Sequence, residues 1–209
     1  MKVLVFDTET TGLPTERNAP ITATHKYPYI LQLSYVLYDT VERCTLAVRD
    51  DYVRVAAHVP ISANSTAIHG IDRAVSEQRG VPLEEALERF RAHVASADIL
   101  VAHNLQFDER MIEVECLRSQ IASPFQQKPL KCTMLANVDV CKLRHATFRG
   151  GNSKWPTLAE LHQHCFQTVP VGLHNALTDV RACLRCFVWL EEGYDVEAAE
   201  LAEHQAHAE

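Results

Sequence analysis

Several features of secreted, membrane-spanning or nucleic-acid-coating proteins are missing from this chain. No apolar stretch approaches the roughly 20 residues that a bilayer-spanning helix needs. The N-terminus, Met1-Lys2-Val3-Leu4-Val5-Phe6, reaches Asp7 too soon to form the apolar region of a signal peptide. No low-complexity block interrupts the 209 residues, of which 47% are hydrophobic and 22% charged, as in ordinary globular chains. The seven cysteines are odd in number and scattered through periodic segments, which excludes a secreted disulfide framework. Positive charge is in deficit. A net charge of −7 argues against a basic surface that coats nucleic acid, although it permits a local grip on a few phosphates. The expectation is a soluble, intracellular protein with no membrane partner, built as one domain that buries its own core.

What is present begins with Val3-Leu4-Val5-Phe6-Asp7-Thr8-Glu9-Thr10-Thr11-Gly12-Leu13. In an extended strand residues i and i+2 share a face, so Asp7 and Glu9 point into one small volume while Thr8 points away. Carboxylates held side by side repel by several kcal/mol at an effective dielectric of about 20, and a divalent cation relieves that repulsion. The residues alone allow a second reading, a solvated strand end before a glycine turn.

The patterning predicts a strand over 2–7, then a long loop to Pro28 broken by Gly12, Pro14 and Pro20. Strands over 30–38 and 43–55 complete a three-strand meander. Residues 65–70 lead into a short helix starting near Asp72. A clear helix covers 82–97, with Leu83, Ala86, Leu87, Phe90 and Val94 on one face. A strand over 98–102 runs into a helix that Asn104 is placed to cap and that ends near Gln120. Residues 130–134 add a parallel strand through a crossover. Helical spacing returns over 157–166 and 176–190, followed by a polar helix or tail over 196–206.

Two further constellations sit at helix starts. In His103-Asn104-Leu105-Gln106-Phe107-Asp108, Asn104 and Asp108 are four apart and share a helical face. This displays a third carboxylate, or else a cap followed by an acid that suits the helix dipole. In Gly172-Leu173-His174-Asn175-Ala176-Leu177-Thr178-Asp179, an imidazole precedes a helical carboxylate by five residues, as a base beside a ligand or as a structural pair. Lys128, Lys131, Lys142, Arg144, Arg149 and Lys154 bracket a glycine-rich turn and either line a groove or are solvated loop charges. Cys183-x-x-Cys186, near His162, His164 and Cys165, has zinc-like spacing. Both cysteines lie in an apolar helix continuing through Phe187, Val188 and Leu190, so they are read as core.

Taken together, Asp7, Glu9, Asp108 and Asp179, with His174 five residues before the last, resemble the signature of DEDDh 3′-to-5′ exonucleases, which include polymerase proofreading subunits, ribonuclease T and oligoribonuclease. The resemblance extends to Phe6-Asp7-Thr8-Glu9-Thr10-Thr11-Gly12-Leu13, to Ala102-His103-Asn104 before Phe107-Asp108, and to His174-Asn175-Ala176-Leu177 before Asp179. His69-Gly70-Ile71 matches a further family pattern, and His69 is read as a loop histidine bonded to backbone.

The resemblance implies an α/β, ribonuclease H-like fold, with a central mixed five-stranded sheet of order 3-2-1-4-5 flanked by helices. The exonuclease domain would span 1–190, with 191–209 a C-terminal helix or tail. It implies two divalent cations, Mg²⁺ or Mn²⁺, held by Asp7, Glu9, Asp108 and Asp179, with Asp7 bridging and Asp108 acting through waters. In such a site one ion lowers the pKa of a water and the other neutralises the leaving oxygen. His174 would take the proton of the attacking water, and the terminal phosphodiester of DNA or RNA would release a nucleoside 5′-monophosphate. Backbone donors around Thr10 and Thr11 would hold the terminal sugar, Leu13 would wedge against the last base, and Asn104 would orient the strand or cap its helix. The implied partner is single-stranded nucleic acid or a frayed 3′ end. A homodimer, or association with replication or repair machinery, is a further expectation. Substrate choice is expected to reside in 123–154. Two rival classes are a catalytically silent module that grips 3′ ends and a metal-dependent phosphohydrolase of small nucleotides.

Overall fold

The central strand is β1, Lys2–Thr10, three residues longer than its apolar run suggests. The computed structural model describes residues 1–144 and 153–200. Two more strands, β2 (Ile30–Asp39) and β3 (Cys44–Tyr52), complete an antiparallel meander, and β4 (Ile99–Ala102) and β5 (Leu130–Cys132) add parallel strands on the other side. The order is β3-β2-β1-β4-β5, as the sequence resemblance implies.

Both faces of the sheet are covered, which explains why β2 alternates so loosely in sequence. Leu4, Phe6, Leu33, Tyr35 and Leu37 turn to one side. There they pack against α3 (Leu83–Ser96) and α4 (Leu105–Ser119). Val3, Val5, Val36 and Tyr38 turn to the other, against Val180, Leu184, Phe187 and Val188 of the C-terminal helix Ala176–Glu192. The apolar face read for α3 is the observed one, with Ala86, Leu87, Phe90 and Val94 all buried.

Two short helices precede α3. The first, α1 (Ala63–His69), occupies the segment expected only to lead into a helix, and α2 (Arg73–Arg79) starts with Asp72 accepting from the Val75 N–H. After β5 come α5 (Thr133–Ala136), α6 (Val138–Cys141), α7 (Leu158–Phe166) and α8 (Ala176–Glu192). Thr157 and Glu160 form a reciprocal capping box on α7. The capping role expected of Asn104 is not observed. Asn104 is in the left-handed conformation (φ 65°), and its side chain makes no capping bond, because the chain enters α4 through a tight turn closed by the Phe107 N–H on the Asn104 carbonyl.

Residues 196–200 are helical, and the remainder of the expected terminal helix lies outside the described residues, as does Arg149. Among the described residues no helix is long and apolar enough to cross a membrane.

Candidate active site

β4 pairs with β1 only as far as Val5, so the C-terminal end of β1 runs on beside an open crevice between two strands. Crevices of this kind, at the carboxyl ends of parallel strands, are common ligand sites. Asp7 and Glu9 project there on the α8 face. Asp179, one turn into α8, meets them, and carboxylate oxygens of Asp7, Glu9 and Asp179 lie within 4.8 Å of one another.

Asp108 arrives from the opposite face of the sheet. Thr8, alternating with the two acids on β1, points toward α4 and donates to Asp108 Oδ1 from both its N–H (2.9 Å) and its Oγ1 (2.7 Å). Asp108 is only 2% exposed, and its Oδ1 is committed to Thr8. The structure thus groups three of the four expected acids tightly and sets the fourth behind them.

Electrostatics reflect this crowding. Burial, then the charges of Asp108, Asp179 and Glu9, holds the Asp7 carboxyl well above the usual carboxylate range. Burial, then Asp179 and Asp108, pushes Glu9 up to about 8. Burial raises Asp108 to about 7 against the downward pull of the Thr8 hydrogen bonds, and raises Asp179 to about 6 against the His174 N–H. Acids that retain protons near neutrality are acids whose charges lack compensation. An all-oxygen donor set of this kind fits a hard divalent cation, which would displace those protons.

His174 is exposed and takes a left-handed conformation (φ 70°) two residues after Gly172 (φ 79°), a double turn that folds its backbone over the start of α8. Its N–H points at both Asp179 oxygens, at 3.3 and 3.2 Å. The imidazole is thereby carried beside the acids on a loop.

The Thr10–Thr11 turn is held by its own contacts. Thr10 Oγ1 donates to the Gly12 carbonyl (2.7 Å), while Thr11 exchanges bonds with Tyr29 and accepts from the Ser62 N–H through its carbonyl. The Thr11 N–H, expected to hold a terminal sugar, is therefore committed to the Tyr29 carbonyl (2.9 Å). His69 is structural as read. Its Nδ1 accepts from the Ile71 N–H, so Nε2 carries the proton and donates to the Thr10 carbonyl. Leu13 stands 78% exposed beside Asn104 and Phe107 at the rim.

Sequence reasoning missed a polar network under the site. Gln32 and Ser34 are fully buried on β2, opposite Glu9 and Asp7, and both donate to Asp50 Oδ1 at 2.6 and 2.7 Å. Gln32 Oε1 accepts from the Ala176 N–H at 3.3 Å, tying the start of α8 to the strand next to the acids. The available signal was two polar residues inside the apolar strand Ile30-Leu31-Gln32-Leu33-Ser34-Tyr35.

Three residues of the basic cluster read from sequence are already engaged. Lys128 Nζ caps the Ala95 and Ala97 carbonyls, Lys131 pairs with Glu191, and Lys154 pairs with Glu160. Cys183 and Cys186 are both buried in α8, and burial pushes the Cys183 thiol up to about 12.

A family model described as RNase T exonuclease matches residues 4–187. No curated protein matches by sequence. Among solved structures, E. coli exonuclease I in complex with a dT13 oligonucleotide superposes with a TM-score of 0.69 at 16% identity, over 92% of this chain and 42% of that one. The zinc-bound form of its single-stranded DNA complex gives the same TM-score and identity, over 92% and 41%. The nuclease domain of 3′hExo, a DEDDh family member bound to rAMP, gives 0.63 at 16% identity and covers 92% of both chains. The present chain thus spans less than half the length of the exonuclease I chains it resembles.

Proposed function

The chain belongs to the RNase T exonuclease family, and from that premise we propose that it removes nucleotides from 3′ ends by metal-dependent hydrolysis, releasing nucleoside 5′-monophosphates. The observation that carries this reading is the convergence of Asp7, Glu9 and Asp179 within 4.8 Å, with His174 turned over Asp179. Asp7, Glu9 and Asp179 would hold the divalent cations, with Asp108 completing the set through its second oxygen. Two ions, Mg²⁺ or Mn²⁺, would supply acidity to the attacking water and neutralise charge on the phosphoryl and leaving oxygens.

The chain's own residues perform the rest. His174 accepts the proton of the attacking water as its oxygen bonds to phosphorus, and the bond to the 3′-oxygen of the preceding nucleotide breaks. That oxygen leaves with a proton from solvent, giving a shortened strand with a 3′-hydroxyl. Thr8 fixes Asp108, and Gln32 fixes the start of α8, so the acids do not need to reorganise during the reaction. Leu13 and Asn104 meet the terminal nucleotide at the rim, and Thr10 and Thr11 shape the turn beneath it.

The active unit is assigned to 1–190, with 191–209 appended. The partner is a single-stranded or frayed 3′ end of DNA or RNA. Homodimerisation, or association with replication or repair machinery, would serve to deliver such ends. The silent-module alternative conflicts with an intact set of four acids and a histidine.

The test is release of label from 3′- and 5′-labelled single strands of DNA and RNA with Mg²⁺ or Mn²⁺. Early mononucleotide release from the 3′ label alone is expected, and a circular strand should resist. Hydrolysis of free nucleotide with no release from any strand would favour the small-nucleotide phosphohydrolase.

A further inference from the structure

A cleft of about 570 Å³, within the roughly 300–1,000 Å³ range of small-molecule sites, opens along the start of α4, the helix that carries Asp108. Leu13, from the turn that follows Glu9, and Asn104 and Phe107, just before Asp108 in the chain, line it, and Leu135 and Trp155 also face it. Three of these apolar side chains are unusually exposed, Leu13 at 78%, Leu135 at 52% and Trp155 at 54%. Large apolar groups gathered at one open cleft mark a surface that a ligand covers.

Trp155 is exposed but held. On one side the Lys154 N–H donates to the Leu143 carbonyl (2.8 Å), and Lys154 Nζ pairs with Glu160. On the other the Pro156 carbonyl accepts from His103 Nε2 at 3.0 Å. A carbonyl can only accept, so Nε2 carries the proton and Nδ1 accepts from Thr133 Oγ1 (3.0 Å). Burial pushes His103 down to about 4, so this staple stays neutral and intact at working pH. The backbone that carries the indole is therefore held on both sides, and through Pro156 it is tied to the end of the strand that precedes α4.

Charge in the cleft has one sign. Arg17 and Arg110 line it, and among the described lining residues there is no carboxylate, in a chain whose net charge is −7. Arg110 also donates to the Arg17 carbonyl (3.2 Å), which joins the two segments that carry the guanidinium groups. Aromatic faces beside cations are the combination that binds unpaired strands, with bases stacked and phosphates paired. In a duplex the base faces are already covered apart from the outer face of the terminal pair, so Trp155 and Leu135 would have far less to stack on.

Building on the exonuclease reading, we propose that this cleft selects the substrate form: it takes unpaired nucleotides, stacking a base on Trp155 and pairing strand phosphates with Arg17 and Arg110, and it rejects paired ends. Trp155 and Arg110 are specificity-determining residues for single strands, separate from the acids that carry the chemistry.

The chain has two tryptophans, so Trp189→Phe leaves Trp155 as the sole indole reporter. In that variant, further inactivated by Asp7→Asn, the single strand dT5 is expected to quench the fluorescence, and a blunt duplex at equal concentration is expected to quench it far less. In the active chain, Trp155→Ala is expected to raise KM for a single-stranded oligonucleotide roughly tenfold to hundredfold, with the loss in KM rather than kcat, and Trp155→Phe to restore most of it. Arg110→Gln should weaken binding evenly across sequences and reduce the salt slope by about one. Equal quenching by duplex, or a wild-type KM in Trp155→Ala, overturns the proposal. Quenching by dT5 but not by duplex in the inactivated Trp189→Phe variant, together with no nucleotide release by the wild-type chain, would support the cleft and overturn the exonuclease reading, so the two fail separately.

Discussion

Asp108 and Thr8 stand 100 residues apart in the chain, and both the N–H and the hydroxyl of Thr8 donate to the same Asp108 oxygen. One strand therefore both presents two of the acids, through Asp7 and Glu9, and orients a third carried by the helix on its other face. Alternation of side chains along β1 makes this possible, since the residue between two acids must face the opposite layer.

Thr8→Val keeps the shape and the backbone bond and deletes the hydroxyl. A hydrogen bond to a charged group contributes roughly 1.5–3 kcal/mol, and losing a group that orients a metal ligand weakens binding about 10- to 100-fold. Calorimetric titration with Mn²⁺ should show a loss in that range with the fold intact. The loss should deepen as pH falls, because the deleted bond had been lowering the Asp108 pKa.

The crowded acids make the metal-free protein pH-sensitive in a direction opposite to that of most carboxylates. Glu9 rises from 4.5 to about 8, and Asp108 and Asp179 from 3.8 to about 7 and about 6. The native state then holds more protons than the unfolded chain in this window, so their contribution is full below the unfolded values and is lost as pH rises through the folded ones. Melting temperature in chelator should fall between pH 5 and pH 8. A cation at 100 times its Kd adds about 2.7 kcal/mol, on the order of 5–10 °C for a chain of this size, and Mg²⁺ should stabilise most at pH 8.

Elements with strong periodicity were legible in the sequence, and contacts between distant segments were not. α3 could be read because Ala86, Leu87, Phe90 and Val94 repeat at helical spacing and are all buried. α1 buries none of its residues, so it carries no apolar stripe to read. Asp7, Glu9 and Asp179 were legible as motifs, but the tie of Thr8 to Asp108 and of Gln32 to Ala176 depends on which strands become neighbours. The role of the basic cluster was left open in the sequence for the same reason, since Lys131 and Lys128 meet partners far away in sequence, Glu191 and the carbonyls of Ala95 and Ala97.

Gln32→Leu should uncouple α8 from the sheet. It leaves the buried Ala176 N–H without its acceptor, a loss of roughly 1–3 kcal/mol, measurable by urea denaturation. Because Asp179 rides on that helix, kcat should fall by more than the stability change alone accounts for.

His174 is best probed by His174→Asn, because asparagine tolerates the left-handed backbone that position requires. Loss of a general base lowers rates about 10²- to 10⁴-fold. The variant should lose kcat in that range while retaining Mn²⁺ affinity within a small factor, since its N–H on Asp179 comes from the backbone. A matching loss of metal affinity would assign His174 to the metal site instead.

The central claim is that Asp7 and its neighbours form the hydrolytic centre. Its most direct measurement is mononucleotide release from a 3′-labelled single strand in Mg²⁺, with the wild-type chain and Asp7→Asn assayed side by side at matched folded concentration. The account predicts stepwise 5′-monophosphate release by the wild type, abolished by chelator, and none by the variant; undiminished release by Asp7→Asn would contradict it.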